Sequence, residues 1–271
     1  IVAFYNIIHL STHHFEDKPS QWTMQPFFKD HAILGAVLAM TIPVSFALVK
    51  LNSKNILIRN FFIFLILVLI FCLIITYSRA AWVSIIPALF LYIIFKLKVK
   101  FRYLLFVFLL IIFYLTYNVE SIIKDLEQNK VSSSDDLVEN FESITNISSD
   151  PSNLERINRW SCALAMWQAK PIFGWGPGTY MFEYAPFQLA HNYTIISTNF
   201  GDVGNAHSEY LGPLAESGVL GFVLFLLIFI MTFYYAFRVY YKAYNGNDKI
   251  YISTAACALM TYFVHGILNN Y

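Results

Sequence analysis

The sequence predicts an all-α fold: a polytopic transmembrane helical bundle with one long outer loop containing interfacial amphipathic helices. Three observations lead there. Of the 271 residues, 58% are hydrophobic and 13% charged, whereas a soluble domain carries roughly 45–50% apolar and ~25% charged residues. The apolar residues gather into runs long enough to span a hydrocarbon core of ~30 Å. Lysine and arginine sit in short clusters between those runs, as they do in loops held on the cytoplasmic side.

Taken in order, Ile1 to Leu10 reads as the tail of a span, and the chain opens inside an apolar run without Met, as a fragment of a longer protein does. Ser11 to Asp30 is a polar outer loop. Its His13, His14, Glu16 and Asp17 are either solvated or a weak metal cluster; a metal wants three or four rigidly held ligands. His31 to Val49 is a span interrupted only by Pro43, and Lys50, Lys54 and Arg59 mark the cytoplasmic loop after it. Phe61 to Phe95 is apolar except around Tyr77, Ser78 and Arg79. As one helix, ~35 residues would reach ~52 Å, so the run must be a hairpin of two spans that turns at Tyr-Ser-Arg.

Lys96, Lys98, Lys100 and Arg102 form a second basic loop, and Tyr103 to Tyr117 returns outward. Residues 1–117 are thus spans of the fragment, 118–218 a hydrophilic outer loop with active-site helices, and 219–271 the C-terminal spans. The loop starts acidic and Ser-rich, with Asp135 and Asp136 solvated. Asn146-Ile-Ser148 and Asn192-Tyr-Thr194 match a glycosylation pattern too short to carry weight. A helix follows, with Asp150 as N-cap, Pro151 in its first turn and Lys170-Pro171 beyond its end. Leu154, Ile157, Trp160, Leu164 and Trp167 make its apolar stripe, which is expected to lie in the membrane interface, and Arg156 and Arg159 share a neighbouring face. PIFGWGPGTYMF has three alternate glycines but no preceding strand and no Walker lysine, so it reads as a tight turn that aims its flanking helices. NAHSEYLGPLAESGVLG then leads into the apolar run Val219 to Phe237, with Pro213 expected to interrupt the helix. Arg238, Lys242 and Lys249 mark the third basic loop before Ile250 to Leu268. About five complete spans are visible.

A net charge of +1 offers no basic field for nucleic acid. Cys72, Cys162 and Cys257 are far apart with no CxxC, so they are expected in the core rather than in a disulfide or zinc site. What remains is a set of arginines together with His207 on the outer side. Guanidinium groups match phosphate oxygens bidentately and stay charged. An imidazole can take a proton from a hydroxyl near neutral pH. A lipid-linked diphosphate fits that set. The residues also admit plainer roles: Arg79 as an interfacial anchor, Arg156 and Arg159 as a solvated face, and His207 as a helix cap.

The order SRAAW, then RINRWSCALAMWQAKPIFGWGPGTY, then NAHSEYLGPLAESGVLG resembles the O-antigen ligase and O-antigen polymerase membrane family, from roughly His31 to the end. The resemblance implies an enzyme of the bacterial inner (cytoplasmic) membrane with its active site facing the periplasm, and no metal or other cofactor. It implies a glycan donor carried on undecaprenyl diphosphate and a lipid or glycan acceptor. The acceptor would be lipid A core oligosaccharide for a ligase, with a growing chain (polymerase) or a protein (O-oligosaccharyltransferase) as the alternatives. By position in the motifs, Arg79, Arg156 and His207 match the family's functional residues, with Arg159 beside them, and Glu216 matches its acidic position. Ser208 stands where the family often has Asn. Glu216, about half a turn out of phase with His207 on a continuous helix, reads equally as a structural residue near Gly218. A lipid-glycan transporter would instead need charged or broken helices at mid-membrane, and these spans carry almost none.

Overall fold

The computed structural model describes residues 1–118, 151–189, 197 and 204–270. Asp150, Asp135, Asp136 and both glycosylation matches lie outside the described residues. Every regular element among them is helical: α1 (Val2–Ser11), α2 (Asp17–Ser20), α3 (His31–Leu51), α4 (Ile56–Ile74), α5 (Arg79–Leu97), α6 (Phe101–Tyr117), α7 (Pro151–Ala169), α8 (Tyr180–Glu183), a 3-10 turn (Ala185–Phe187), α9 (Leu211–Lys242) and α10 (Gly246–Leu268). Among the described residues five helices, α3, α4, α5, α9 and α10, are long and apolar enough to cross a membrane. The all-α polytopic fold is as the sequence predicts. The expected hairpin splits between α4 and α5, with Tyr77 in a left-handed conformation (φ 53°) at the turn.

Local chemistry explains the boundaries. The Asp30 side chain accepts from the Ile33 amide at 3.0 Å, and that of Asn55 accepts from Ile58 at 3.2 Å, so α3 and α4 both open on side-chain caps. Pro43 and Pro87 lie inside α3 and α5 without ending them. Pro213 does not interrupt α9 either: it sits in the first turn, where a missing N–H costs nothing. The interruption is at Gly218 (φ 64°, ψ −164°).

The chain divides into two compact units, Ile1–Phe101 with Met231–His265, and Arg102–Ile230 with Gly266–Tyr271. In the first, Leu34, Leu38 and Ile42 of α3 pack on Leu69, Cys72 and Leu73 of α4 and on Met24. The helices approach closely where small residues meet. A Cβ on Gly35 would lie 2.9 Å from that of Ser78 and 3.0 Å from that of Ala81. A buried pair of polar groups ties the Ser11–Asp30 loop in: the Thr23 hydroxyl donates to Asn6 Oδ1 at 2.9 Å. His9 and His13 of this region pack edge-on against Trp22, at 5.3 and 5.0 Å between ring centroids.

In the second unit Cys162, Ala163 and Met166 of α7 pack with Tyr180, Tyr184, Ala206 and Ala215. The face α7 buries inside the unit is not the apolar stripe expected at the membrane interface. Glu155, Asn158, Arg159, Cys162, Ala163 and Met166 are buried, while Leu154, Ile157, Trp160 and Trp167 are half-buried and Leu164 is exposed. Burial of this partly polar stripe is possible because its groups satisfy one another. Arg159 Nε donates to Glu155 Oε1 at 2.7 Å, and Asn158 Nδ2 donates to Gln188 Oε1 at 2.9 Å.

Candidate active site

His207 sits in a turn shaped by its neighbours. It adopts φ 46°, a left-handed conformation that few non-glycine residues take. Three groups hold it. Its amide donates to Asn205 Oδ1 at 3.0 Å, its carbonyl accepts from Trp160 Nε1 of α7 at 3.4 Å, and the next amide, of Ser208, donates to Asn270 Oδ1. Ser208 is buried, and its hydroxyl accepts from the Tyr210 and Leu211 amides at 3.3 and 3.4 Å, capping α9. Ser208 is therefore tied to backbone rather than presented to a ligand.

The end of α10 joins the same cluster. The Glu209 amide donates to the Gly266 carbonyl at 2.7 Å, and Arg156 Nε donates to the Leu268 carbonyl at 3.1 Å. Arg156 precedes Trp160 by one helical turn. Hence one face of α7 carries a half-buried guanidinium and the indole that touches the His207 backbone.

Arg159, grouped with Arg156 in the sequence, is turned the other way. It is 3% exposed, pairs with Glu155, and lies 4.0 Å from the Tyr184 ring centroid. Burial opposes its charge, but Tyr184 and Glu155 outweigh burial and hold it above the ordinary arginine range. The Tyr180 hydroxyl donates to the Arg159 carbonyl at 2.7 Å, and the Tyr180 and Tyr184 rings stack at 5.6 Å. Burial pushes the Tyr180 phenol upward and the Cys162 thiol to about 11. This side of α7 is a floor.

Glu216 is a clasp. Its carboxylate accepts from the Gly178 amide at 2.9 Å and the Tyr180 amide at 3.0 Å, while its carbonyl accepts from Gly176 at 2.8 Å. Trp175 donates to Ala215 at 3.1 Å and Val219 to Pro171 at 2.9 Å. The glycine-rich turn thus wraps the kink of α9, and two glycines are required there by contact. A Cβ on Gly174 would fall 2.4 Å from the Glu216 carbonyl carbon, and one on Gly218 would fall 2.2 Å from the Ile172 oxygen.

Arg156, Arg159, His207, Ser208 and Glu216 all belong to the second unit; Arg79, the first residue of α5, belongs to the first. Sequence reading missed Trp160, Asn205 and Asn270 as holders of the His207 turn. Only Asn205 left a signal, since Asn two residues before a backbone amide commonly forms such a turn. Among the described residues no three His, Cys, Asp or Glu side chains gather into a set able to hold a metal.

A family model described as O-antigen ligase matches residues 62–226, more than half of the chain. Comparison with curated proteins and with solved structures returned no match.

Proposed function

The chain belongs to the O-antigen ligase family, and from that premise we propose that it transfers a glycan from undecaprenyl diphosphate to lipid A core oligosaccharide on the periplasmic side of the bacterial inner membrane. Family and spans make it a multi-pass, glycosyltransferase-like membrane protein; donor, acceptor and sidedness are the proposal. The observation that carries it is the His207 turn: an imidazole on a strained, triply held backbone, joined through Trp160 to the helix that bears Arg156.

In this reading His207 takes the proton of the acceptor hydroxyl, whose oxygen attacks the anomeric carbon. The bond from that carbon to the diphosphate oxygen breaks, and the diphosphate leaves with the electron pair. Arg156 holds the diphosphate, because two parallel hydrogen bonds from a guanidinium match its oxygens. Arg159 and Glu216 support the floor and the turn, and no metal takes part.

The test incubates the full-length protein with undecaprenyl-diphosphate-linked glycan and three acceptors in separate reactions: lipid A core, a second lipid-linked glycan, and a protein. Mass gained by lipid A core, undiminished by a chelator, is the expected result. Gain by either other acceptor reassigns the chain to polymerase or protein glycosylation. Loss on chelation, restored by a divalent ion, overturns the metal-free mechanism.

A further inference from the structure

A second polar site lies within the first unit, at the basic end of its spans. Lys98 closes α5 in a left-handed conformation (φ 56°), and the chain re-enters helix at Phe101. That short connector is pinned to the last turns of α9. The Tyr241 hydroxyl donates to the Val99 carbonyl at 2.8 Å, and the Phe101 ring packs 5.5 Å from Phe237 and 6.0 Å from Tyr234. Between them is a groove of about 440 Å³, lined by Lys100, Arg238 and Lys242 together with Phe101, Tyr234 and Tyr241. This is within the size range of small-ligand sites.

Three cations share this groove and no carboxylate lines it. Among the described residues, none of the three forms an ion pair. Like charges held together repel, and an anion between them relieves that repulsion. The start of α6 at Phe101 adds the positive end of a helix dipole.

The lining of α9 is ordered along its length. Met231 and Tyr234, both exposed, stand about one turn apart, and Arg238, Tyr241 and Lys242 follow at spacings that keep them on the same side of the helix. An apolar residue, then a tyrosine, then cations is the sequence of environments a phospholipid presents from acyl chain to phosphate. A soluble phosphate would use only the last of these.

We infer that this groove binds the phosphate of an anionic membrane phospholipid, with the acyl chains lying along the Met231–Tyr234 ridge. Binding is read without any transfer reaction, so it stands or falls separately from the role given to His207. The experiment is native mass spectrometry of the full-length protein titrated with phosphatidylglycerol or phosphatidylcholine. Phosphatidylglycerol should be retained preferentially. Each cation contributes about fivefold, so Arg238→Gln/Lys242→Gln should weaken phosphatidylglycerol binding by roughly 25-fold and leave phosphatidylcholine unchanged. Lys54→Gln/Arg59→Gln, in another basic loop, should change neither. Should the double variant melt below the parent, Lys100→Gln, on an exposed side chain, replaces it, with a loss of about fivefold. Parent-like affinity in the groove variants overturns the site, as does an equal loss in the Lys54/Arg59 variant. Displacement of the lipid by millimolar inorganic phosphate overturns the lipid assignment in favour of a free phosphate.

Discussion

At the scale of one residue, His207 combines a chemical group with an unusual backbone, and substitutions can separate the two. His207→Ala removes the imidazole and also places alanine at φ 46°, a conformation that costs an ordinary L-residue about 1–2 kcal/mol. Asparagine tolerates that conformation, so His207→Asn removes the imidazole with the backbone nearly undisturbed. Both should slow transfer by roughly 10²–10⁴-fold, equivalent to ~3–5 kcal/mol of barrier, with donor binding retained. The base must be neutral to accept a proton, so the wild-type rate should fall as pH drops through the imidazole range and the variants' residual rate should lose that limb. Measured rates across pH 5 to 9 decide it; a limb that survives in His207→Asn moves the base elsewhere. Arg156→Lys should weaken donor binding despite keeping the charge, because an ammonium cannot make two parallel hydrogen bonds. The histidine was visible in the sequence because it stands in the NAHSEYLGPLAESGVLG motif that carries the family resemblance. Asn270 was invisible, since a contact across 62 positions has no local pattern.

At the scale of elements, the glycine-rich turn and the kink of α9 make one unit, and its glycines differ in a testable way. Gly174 and Gly178 both have positive φ, 66° and 73°, yet a Cβ on Gly174 meets the Glu216 backbone at 2.4 Å and one on Gly178 meets nothing within 4 Å. Gly178→Ala should therefore cost only the left-handed penalty of about 1 kcal/mol, and Gly174→Ala about 2 kcal/mol or more. Thermal melts of the purified variants measure the difference; equal shifts would show that the clasp around Glu216 does not constrain the fold. The tight turn was legible from three alternate glycines. What it grips was not, because Glu216 lies far along the chain. The buried face of α7 was not legible, for another physical reason. Hydrophobic periodicity finds the stripe that avoids water, and α7 has two: an aromatic one at the surface of the unit, and one of Glu155, Asn158 and Arg159 that is inside because its charges and amides pair. No periodicity of apolar residues reports a stripe of that kind.

At the scale of the molecule, the spans were the most legible feature, because length and hydropathy suffice to find a helix whose surroundings are uniformly apolar. The sidedness expected from where the cations fall can be checked with impermeant thiol reagents, since all three native cysteines are buried. In intact cells Thr12→Cys should be labelled and Asn245→Cys should not; the reverse pattern would invert the topology and remove the active site from the periplasm. The kink at Gly218 has a mechanical implication. Beyond it α9 runs from Val219 to Lys242, about 36 Å of helix, somewhat more than a hydrocarbon core is thick. Its near end is stitched to the turn by the Val219–Pro171 hydrogen bond, and the same helix begins three residues after Ser208. The span is therefore expected to act as a depth gauge. When the bilayer thins or thickens, a helix of this length should tilt or slide to match it, and the elevation of the imidazole should change with it.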